Sequence, residues 1–180
     1  MGGPAGSGDF APRWGNSYAN PATGLPPDGL GWGRGLMQID YSANHAWVTS
    51  NPWQDPQTSI NKAADIYRTF QSFFQQPHQG ESIAIDYWRV HNGLPSANVL
   101  PWLTKYGGSY PGSAPDPRPL SGDQLREATV AAYNAGTAGP LQALAVGLPA
   151  EAVTANQNYV STFLRYVPQW VAAFKNLTGG

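Results

Sequence analysis

The sequence predicts a mainly α-helical fold, and three observations support this prediction. In three long stretches, apolar residues recur at steps of three and four, the spacing that lines one face of a helix. No run of strand length alternates convincingly between apolar and polar residues, and we find no internal repeat. With 180 residues, the chain has the length of a single domain with an ordinary hydrophobic core. We therefore expect one mainly helical domain over residues 1–180.

Start and stop signals place the helices along the chain. Asp55 can cap the first long helix, because its side chain can accept hydrogen bonds from free backbone amides. Ser121 with Gln124 three residues later matches a capping box, and Pro168 should kink the last helix. The predicted helices cover about residues 55–75, 121–136, 140–147 and 155–177.

Two regions rich in turn residues separate and precede these helices. Residues 1–35 lack helical or strand periodicity and contain the aromatic anchors Trp14, Tyr18 and Trp32, so we expect a long, ordered N-terminal loop region. Residues 78–120 are expected to form an inserted, loop-rich surface segment, in which turn chemistry returns over residues 91–120. Within that segment, a short helical stretch is predicted from Glu81 to Val90.

Composition excludes several classes of function. Charged residues are only 12% of the chain, and the net charge is −1, so no electrostatic attraction to nucleic acid or an anionic membrane is expected. The sequence has no Cys, which excludes disulfides, thiolate metal sites and cysteine nucleophiles. The three histidines lack metal-ligand spacing, and no cofactor fingerprint is present. No stretch predicts membrane insertion, and no signal peptide is evident at the N-terminus.

The most specific stretch is Gly31–Asp40, which reads Gly-Trp-Gly-Arg-Gly-Leu-Met-Gln-Ile-Asp. Glycines at alternate positions let a backbone turn tightly and approach a ligand closely. Gln38 and Asp40 would project polar groups beside the apolar anchors Leu36, Met37 and Ile39, as the floor of a binding groove requires. Taken alone, the same pattern also fits a glycine-rich turn that enters a core helix.

A second stretch, Ala128–Gly136, is an alanine-rich helix that ends in Tyr133-Asn134. Small residues allow close helix packing, and a Tyr-Asn pair at a helix end can direct a phenol and an amide into a cleft. Taken alone, the pattern also fits simple capping of the helix by Gly136.

Together the two stretches resemble the lysozyme-like superfamily of goose-type lysozymes, phage endolysins and soluble lytic transglycosylases. In that superfamily, a Gly-Leu-Met-Gln motif and a later Ala-Tyr-Asn-Ala-Gly motif line one saccharide-binding cleft. They stand here at residues 35–38 and 132–136, in the same order. Thr154, followed by Tyr159 and a helix, is similar to the superfamily's C-terminal segment. The resemblance covers about residues 9–75 and 121–175.

The resemblance implies a lysozyme-like domain that binds the saccharide chains of peptidoglycan. Its implied activity is that of a muramidase, cleaving the β-1,4 bond between N-acetylmuramic acid and N-acetylglucosamine at the cell wall or in the periplasm. No metal or cofactor is implied. The implied substrate-binding residues are Met37, Gln38, Tyr133, Asn134 and Tyr159.

Two aspartates are implied as catalytic residues. Asp40 would activate the attacking water, with Asp28 as its helper. Their spacing is one residue longer than the goose-type and endolysin pattern. In an inverting mechanism, such a carboxylate acts across the sugar from a protonated acid that donates to the glycosidic oxygen. Either aspartate also fits a solvated loop position.

The general acid is the main departure from the superfamily. There, a buried glutamate ends a helix before the Gly-Leu-Met-Gln segment. No glutamate precedes Gly35 in this sequence, and the first is Glu81. The N-terminal catalytic-glutamate helix is therefore expected to be missing. Three explanations remain open: a sequence that starts late, a glutamate supplied by another chain of a larger assembly, or a non-catalytic binding or structural subunit. Lytic transglycosylation is a further open activity.

Overall fold

The computed structural model describes residues 20, 22, 25, 26, 30, 33–86, 89, 90, 104 and 111–178. The chain divides into two units, Met1–Arg68 and Thr69–Gly180, and each is considered by itself. The single domain over residues 1–180 stays a prediction. Most of the predicted N-terminal loop region lies outside the described residues, as does the middle of the segment 78–120.

The described residues of the first unit form a short hairpin and two helices, the second of which continues past Arg68, and these elements pack on one apolar cluster. Strands β1 (Gly33–Arg34) and β2 (Ile39–Asp40) pair antiparallel, with Arg34 opposite Ile39. Helix α1 covers His45–Ser50, and helix α2 covers Pro56–Gln75, of which the residues up to Arg68 belong to this unit. The cluster consists of Ile39, Tyr41 and Val48, with Met37, Trp47, Trp53 and Ile66 packed against it.

The start of α2 forms as the sequence predicts. The Asp55 carboxylate accepts a hydrogen bond of 2.7 Å from the backbone N–H of Thr58. Hydrogen bonds from the Thr58 side chain and backbone hold the pKa of Asp55 below its usual value. Both are interactions with the charged carboxylate, which is the form that a helix start favours.

The part of the second unit that the structure describes includes the end of α2, a two-stranded ribbon and further helices. Strands β3 (Ser82–Ala84) and β4 (Ser113–Pro115) pair antiparallel, with Ile83 opposite Ala114. The helices are α3 (Gly122–Ala135), α4 (Ala138–Val146) and α5 (Tyr159–Thr178), and two 3₁₀ turns, Ala150–Val153 and Ala155–Gln157, lead from α4 to α5. The core of this unit contains Ile85, Val90, Ala114, Ala143, Val146, Leu148 and Ala152.

The prediction of a mainly α fold is confirmed, because helices account for most of the described residues and strand for only four short segments. The predicted helical stretch Glu81–Val90 is wrong at its start, since Ser82–Ala84 is strand β3. Three residues are too few for strand alternation to show in the sequence, and their pairing partner lies about thirty residues later. Helix α1 was not predicted.

The segment 78–120 is also more than a surface excursion. Ile85 and Ala114 are 3% exposed and belong to the core of the second unit.

At the start of α3, Ser121 lies at the N-cap position with extended backbone, yet its side chain makes no capping hydrogen bond, so the predicted capping box is not formed. Of the helices described, none has the length and apolar character needed to span a membrane.

Candidate functional site

The motif Gly35–Asp40 forms the turn of the β1–β2 hairpin and its return strand. The backbone N–H of Gln38 donates to the carbonyl oxygen of Gly35 over 3.2 Å, which closes the turn. The side-chain Nε2 of Gln38 donates to the same oxygen over 3.1 Å. Gln38 has a φ of 53°, an uncommon conformation for a residue with a side chain. The exposed carboxamide of Gln38 is therefore held in one orientation by its own hairpin.

Two glycines make this conformation sterically accessible. A Cβ on Gly33 would collide with the Gln38 carboxamide, since it would lie 3.1 Å from Cδ and closer still to Oε1. A Cβ on Gly35 would collide with the carbonyl oxygen of Trp53 and lie 2.7 Å from Ser59 Oγ. Gly33 and Gly35 were predicted to allow a tight turn. They are also required because other atoms of the unit lie too close to leave room for a side chain at either position.

Met37 anchors the turn from inside. Its backbone N–H donates to Ser59 Oγ over 3.2 Å, and its half-buried side chain packs against the cluster of Ile39, Tyr41 and Val48. Leu36 was predicted to be an anchor as well, but this is wrong, because it lies at the tip of the turn and is 66% exposed. Met37 therefore fixes the hairpin to α2, and any contact of Met37 with a saccharide would involve its partly exposed edge.

Asp40 ends the hairpin and shapes the turn that follows it. One carboxylate oxygen, Oδ1, accepts hydrogen bonds from Ser42 Oγ at 2.7 Å and from the backbone N–H of Ala43 at 2.8 Å. The Asp40 carbonyl oxygen accepts from the backbone N–H and the side chain of Asn44. These bonds fix the orientation of a half-buried carboxylate beside the Gln38 turn.

Arg34 is a buried charge that the sequence analysis did not single out. It is 1% exposed, and its guanidinium carbon lies 4.6 Å from the ring centroid of Tyr41 and 5.6 Å from that of Trp53. Cation–π contact of this kind strengthens as water is excluded. The sequence does contain a signal for this residue. Arg34 is the single cation of a glycine-rich motif, and aromatic residues follow that motif.

Tyr133, Asn134 and Tyr159 form the second group of predicted site residues. Tyr133 and Asn134 lie in the last turn of α3, whose buried residues include three alanines that are at most 1% exposed. The backbone N–H of Gly136 donates to the carbonyl oxygen of Ala132 and ends the helix. Tyr159 begins α5 and lies close enough to Tyr133 to affect its ionisation.

Burial, and secondarily the charge that Tyr159 would carry, raises the pKa of Tyr133 to about 12. Tyr133 is therefore a neutral phenol over the whole physiological range, able both to donate and to accept a hydrogen bond. This is the chemistry that suits uncharged sugar hydroxyl and acetamido groups.

Near this group, Glu151 caps the last helix. Its Oε2 accepts a hydrogen bond of 2.9 Å from the backbone N–H of Ser161, in the first turn of α5. A carboxylate at a helix N-terminus is favoured by both the free amides and the helix dipole. Glu151 and Ser161 are ten positions apart in the sequence, whereas the capping patterns that a sequence reveals span one to three residues. This role was therefore not predicted.

The predicted site residues thus fall into two groups on the two separate units. Met37, Gln38 and Asp40 lie in one hairpin of the first unit. In the second unit, Tyr133 and Asn134 lie at the end of α3, and Tyr159 begins α5 close to Tyr133. Asp28 lies outside the described residues. Within the described part of the chain, no group of three or more His, Asp or Glu side chains could hold a metal ion.

The raised pKa of Tyr133 predicts how stability changes at high pH. In the unfolded chain, the phenol loses its proton near pH 10, whereas in the folded chain it keeps the proton up to about pH 12. The folded state binds more protons in this window, so the free energy of unfolding should fall as pH rises from about 10 to about 12. Below pH 10 this contribution is constant.

Denaturant unfolding measured across this pH window tests the expectation. The matched control is Tyr133→Phe, which keeps the ring and removes the titrating group. The variant should show a shallower loss of stability, and its tyrosinate absorbance should lack one late-titrating phenol. Equal slopes for the variant and the wild type would contradict the assignment.

Comparison with models of protein families, with curated proteins and with solved structures found no match. The resemblance to lysozyme-like proteins therefore depends on the sequence motifs alone.

Proposed function

We propose that this chain binds the glycan strands of peptidoglycan and, where a general acid is supplied to protonate the leaving glycosidic oxygen, is a lysozyme-like muramidase that cleaves the β-1,4 bond between N-acetylmuramic acid and N-acetylglucosamine. The observation that carries the proposal is the Gly35–Asp40 hairpin. It presents an exposed carboxamide in a fixed orientation, two residues from a fixed carboxylate. Preorganised polar groups of this kind bind a polar ligand without the entropy cost of ordering them.

The proposed roles follow from the chemistry of each side chain. Gln38 offers an amide donor and acceptor to the acetamido groups of the sugar, and the neutral Tyr133 phenol and the Asn134 amide add further hydrogen bonds. Asp40 would orient and activate water, with Asp28 as its helper. Because Ser42 and Ala43 hold Oδ1 of Asp40, the base would act without reorganising its own support.

A second function, glycan binding without cleavage, is favoured by the same hydrogen bonds on Asp40. A carboxylate whose Oδ1 accepts two short bonds from its own turn is also what a purely structural aspartate looks like. In this alternative, the chain would be a binding or structural subunit of a larger assembly, and Gln38 and Tyr133 would keep their roles.

The test compares lysis with binding. Purified insoluble cell walls are mixed with the chain, and both the loss of turbidity and the retention of protein in the pellet are measured. Asp40→Asn keeps an acceptor oxygen for Ser42 and Ala43 but removes the base. We expect it to lower the lysis rate about a hundredfold while leaving retention unchanged.

Two controls make the result specific. Asp65→Asn changes an exposed aspartate of the same unit and should alter neither readout. Gln38→Ala should weaken retention. Wild-type retention without lysis would assign the non-catalytic function, and wild-type protein that neither lyses nor binds the walls would overturn both proposals.

A further inference from the structure

The last helix, α5, carries a stripe of aromatic residues along one face. Tyr159, Phe163, Tyr166 and Trp170 follow one another at steps of four, three and four residues, which places them on the same side of a helix. We call these four residues the α5 stripe. At 1.5 Å per residue, it is about 16 Å long. Sequence analysis reads such a face as core, because apolar faces of helices are usually buried.

The structure does not bury the outer half of the stripe. Trp170 is 52% exposed and Tyr166 is 38% exposed, whereas Tyr159 and Phe163 are half-buried. Large aromatic side chains are seldom left this exposed without a function, particularly as a contiguous patch. The neighbouring Val171 is also 48% exposed. The stripe thus runs from a half-buried start to an open end.

The rings of Phe163, Tyr166 and Trp170 contact one another, and we call these three rings the platform. The planes of Tyr166 and Trp170 lie within 26° of parallel, with centroids 6.2 Å apart, and Phe163 meets the Trp170 ring edge to face at 5.4 Å. Rings fixed by such contacts lose little freedom when a ligand stacks on them. An aromatic face pairs well with the apolar C–H face of a sugar ring, which a small hydrophilic ligand would not offer.

Arg165 places a positive charge beside the exposed rings, and Glu151 places a negative one at the first turn of α5. The Arg165 guanidinium carbon lies 5.0 Å from the Tyr166 ring centroid, and Nη2 of Arg165 lies 3.5 Å from the Tyr166 hydroxyl oxygen. The sequence of α5 contains Arg165 and Lys175 and no Asp or Glu. A cation beside exposed aromatic rings complements a polymer that combines sugar rings with carboxylates.

We propose that the α5 stripe continues the peptidoglycan-binding surface to which Tyr159 belongs. Sugar rings would stack on Tyr166 and Trp170, and a carboxylate of the peptide stem would pair with Arg165. This inference rests on the proposed function, because the stripe begins at Tyr159, one of the residues assigned there to saccharide binding. It extends that surface along α5 by eleven residues and makes Trp170 its outer contact.

Pull-down on purified insoluble peptidoglycan tests this surface. The Trp170→Ala variant is expected to be retained about tenfold more weakly than the wild-type chain. The Trp170→Phe variant, which keeps an aromatic face, should be retained nearly as well as the wild type. Arg165→Gln should weaken retention about threefold at low salt and less at high salt. The matched control is Ile60→Ala, which truncates another exposed apolar side chain (43% exposed) in the other unit and should bind as wild type.

The outcomes separate this inference from the function on which it rests. If Gln38→Ala loses retention while Trp170→Ala binds as wild type, the α5 surface is overturned and the proposed function stands. If the wild-type chain does not bind peptidoglycan, both fail. If Trp170→Ala instead abolishes self-association in sedimentation, or binding to anionic lipid vesicles, while peptidoglycan retention is unchanged, the stripe belongs to another partner and the inference is wrong.

Discussion

Replacing Asp116 with Ala is expected to lower the free energy of unfolding by about 3–5 kcal/mol, because it leaves the buried charge of Arg118 uncompensated. The side chains of Asp116 and Arg118 are 1% and 7% exposed, and the shortest bond between them, from Nη2 to Oδ2, is 2.7 Å. Arg118 Nε contacts both carboxylate oxygens, and the backbone N–H of Arg118 donates to Oδ1 over 2.9 Å. Few alternative partners would be at hand once the carboxylate is gone.

The pair also ties three parts of the second unit together. The backbone N–H of Asp116 donates to the carbonyl oxygen of Glu81, which precedes strand β3. The Arg118 guanidinium lies 4.3 Å from the ring centroid of Phe73, at the end of α2, and Nη1 lies 3.5 Å from the Phe73 carbonyl oxygen. Loss of the carboxylate should therefore loosen the ribbon and the helix end as well.

The matched control is the exposed pair Asp65 and Arg68, whose side chains are 67% and 72% exposed. Asp65→Ala should cost about 0–1 kcal/mol, since exposed ion pairs contribute little. Urea unfolding of the two variants gives the comparison. Replacing both Asp116 and Arg118 with apolar residues of similar size should recover much of the loss. An Asp116 variant as stable as the Asp65 variant would contradict the assigned role.

The same pair predicts sensitivity to acid. Burial opposes ionisation of Asp116, but hydrogen bonds and the charge of Arg118, with a contribution from His78, hold the pKa of this carboxyl below its usual value. The unfolded chain therefore binds more protons as the pH falls below about 4. The stability that the pair supplies is fully present above the unfolded-state pKa and is lost as pH falls through the lower folded-state pKa. In the Asp116→Ala variant, this part of the acid transition should be absent.

Helices were the predictable part of this fold, because their signals are local. The start of α2 at Pro56 depends on Asp55 and Thr58, three residues apart, and the sequence shows both. Strand β3 and the packing around the Asp116–Arg118 pair depend on partners about thirty to forty-five residues away, such as Ala114 and Phe73. Single-sequence patterns contain no record of such pairings, and so the helical prediction for Glu81–Val90 was wrong where the ribbon begins.

The candidate site was predictable to the extent that its chemistry is local. The glycines around Arg34 and the projecting Gln38 belong to one hairpin, and the sequence motif shows them all. The burial of Arg34 between Tyr41 and Trp53 was not predictable, because it depends on how the hairpin packs. The exposure of Trp170 was missed for the same reason, since periodicity identifies an apolar face but does not say whether another element covers it.

Replacing Gly35 with Ala is expected to lower the free energy of unfolding by about 2–5 kcal/mol and to abolish the hairpin conformation of Gln38. The φ of Gly35 is 66°, and a left-handed conformation costs a residue with a side chain about 1–2 kcal/mol. The new methyl group would also meet Ser59 Oγ at 2.7 Å and the carbonyl oxygen of Trp53 at still closer range. Relief of such overpacking typically costs about 1–3 kcal/mol more.

Gly80 supplies the control that separates these two contributions. Its φ is 82°, and a Cβ there would meet no atom within 4 Å, so Gly80→Ala should cost only the backbone contribution of about 1–2 kcal/mol. Urea unfolding gives both costs, and pull-down on insoluble peptidoglycan reports on Gln38. The Gly35 variant should lose retention and the Gly80 variant should keep it. Equal stability losses, or full retention by the Gly35 variant, would show that the close contact of the hairpin with Trp53 and Ser59 does not hold Gln38 in its binding conformation.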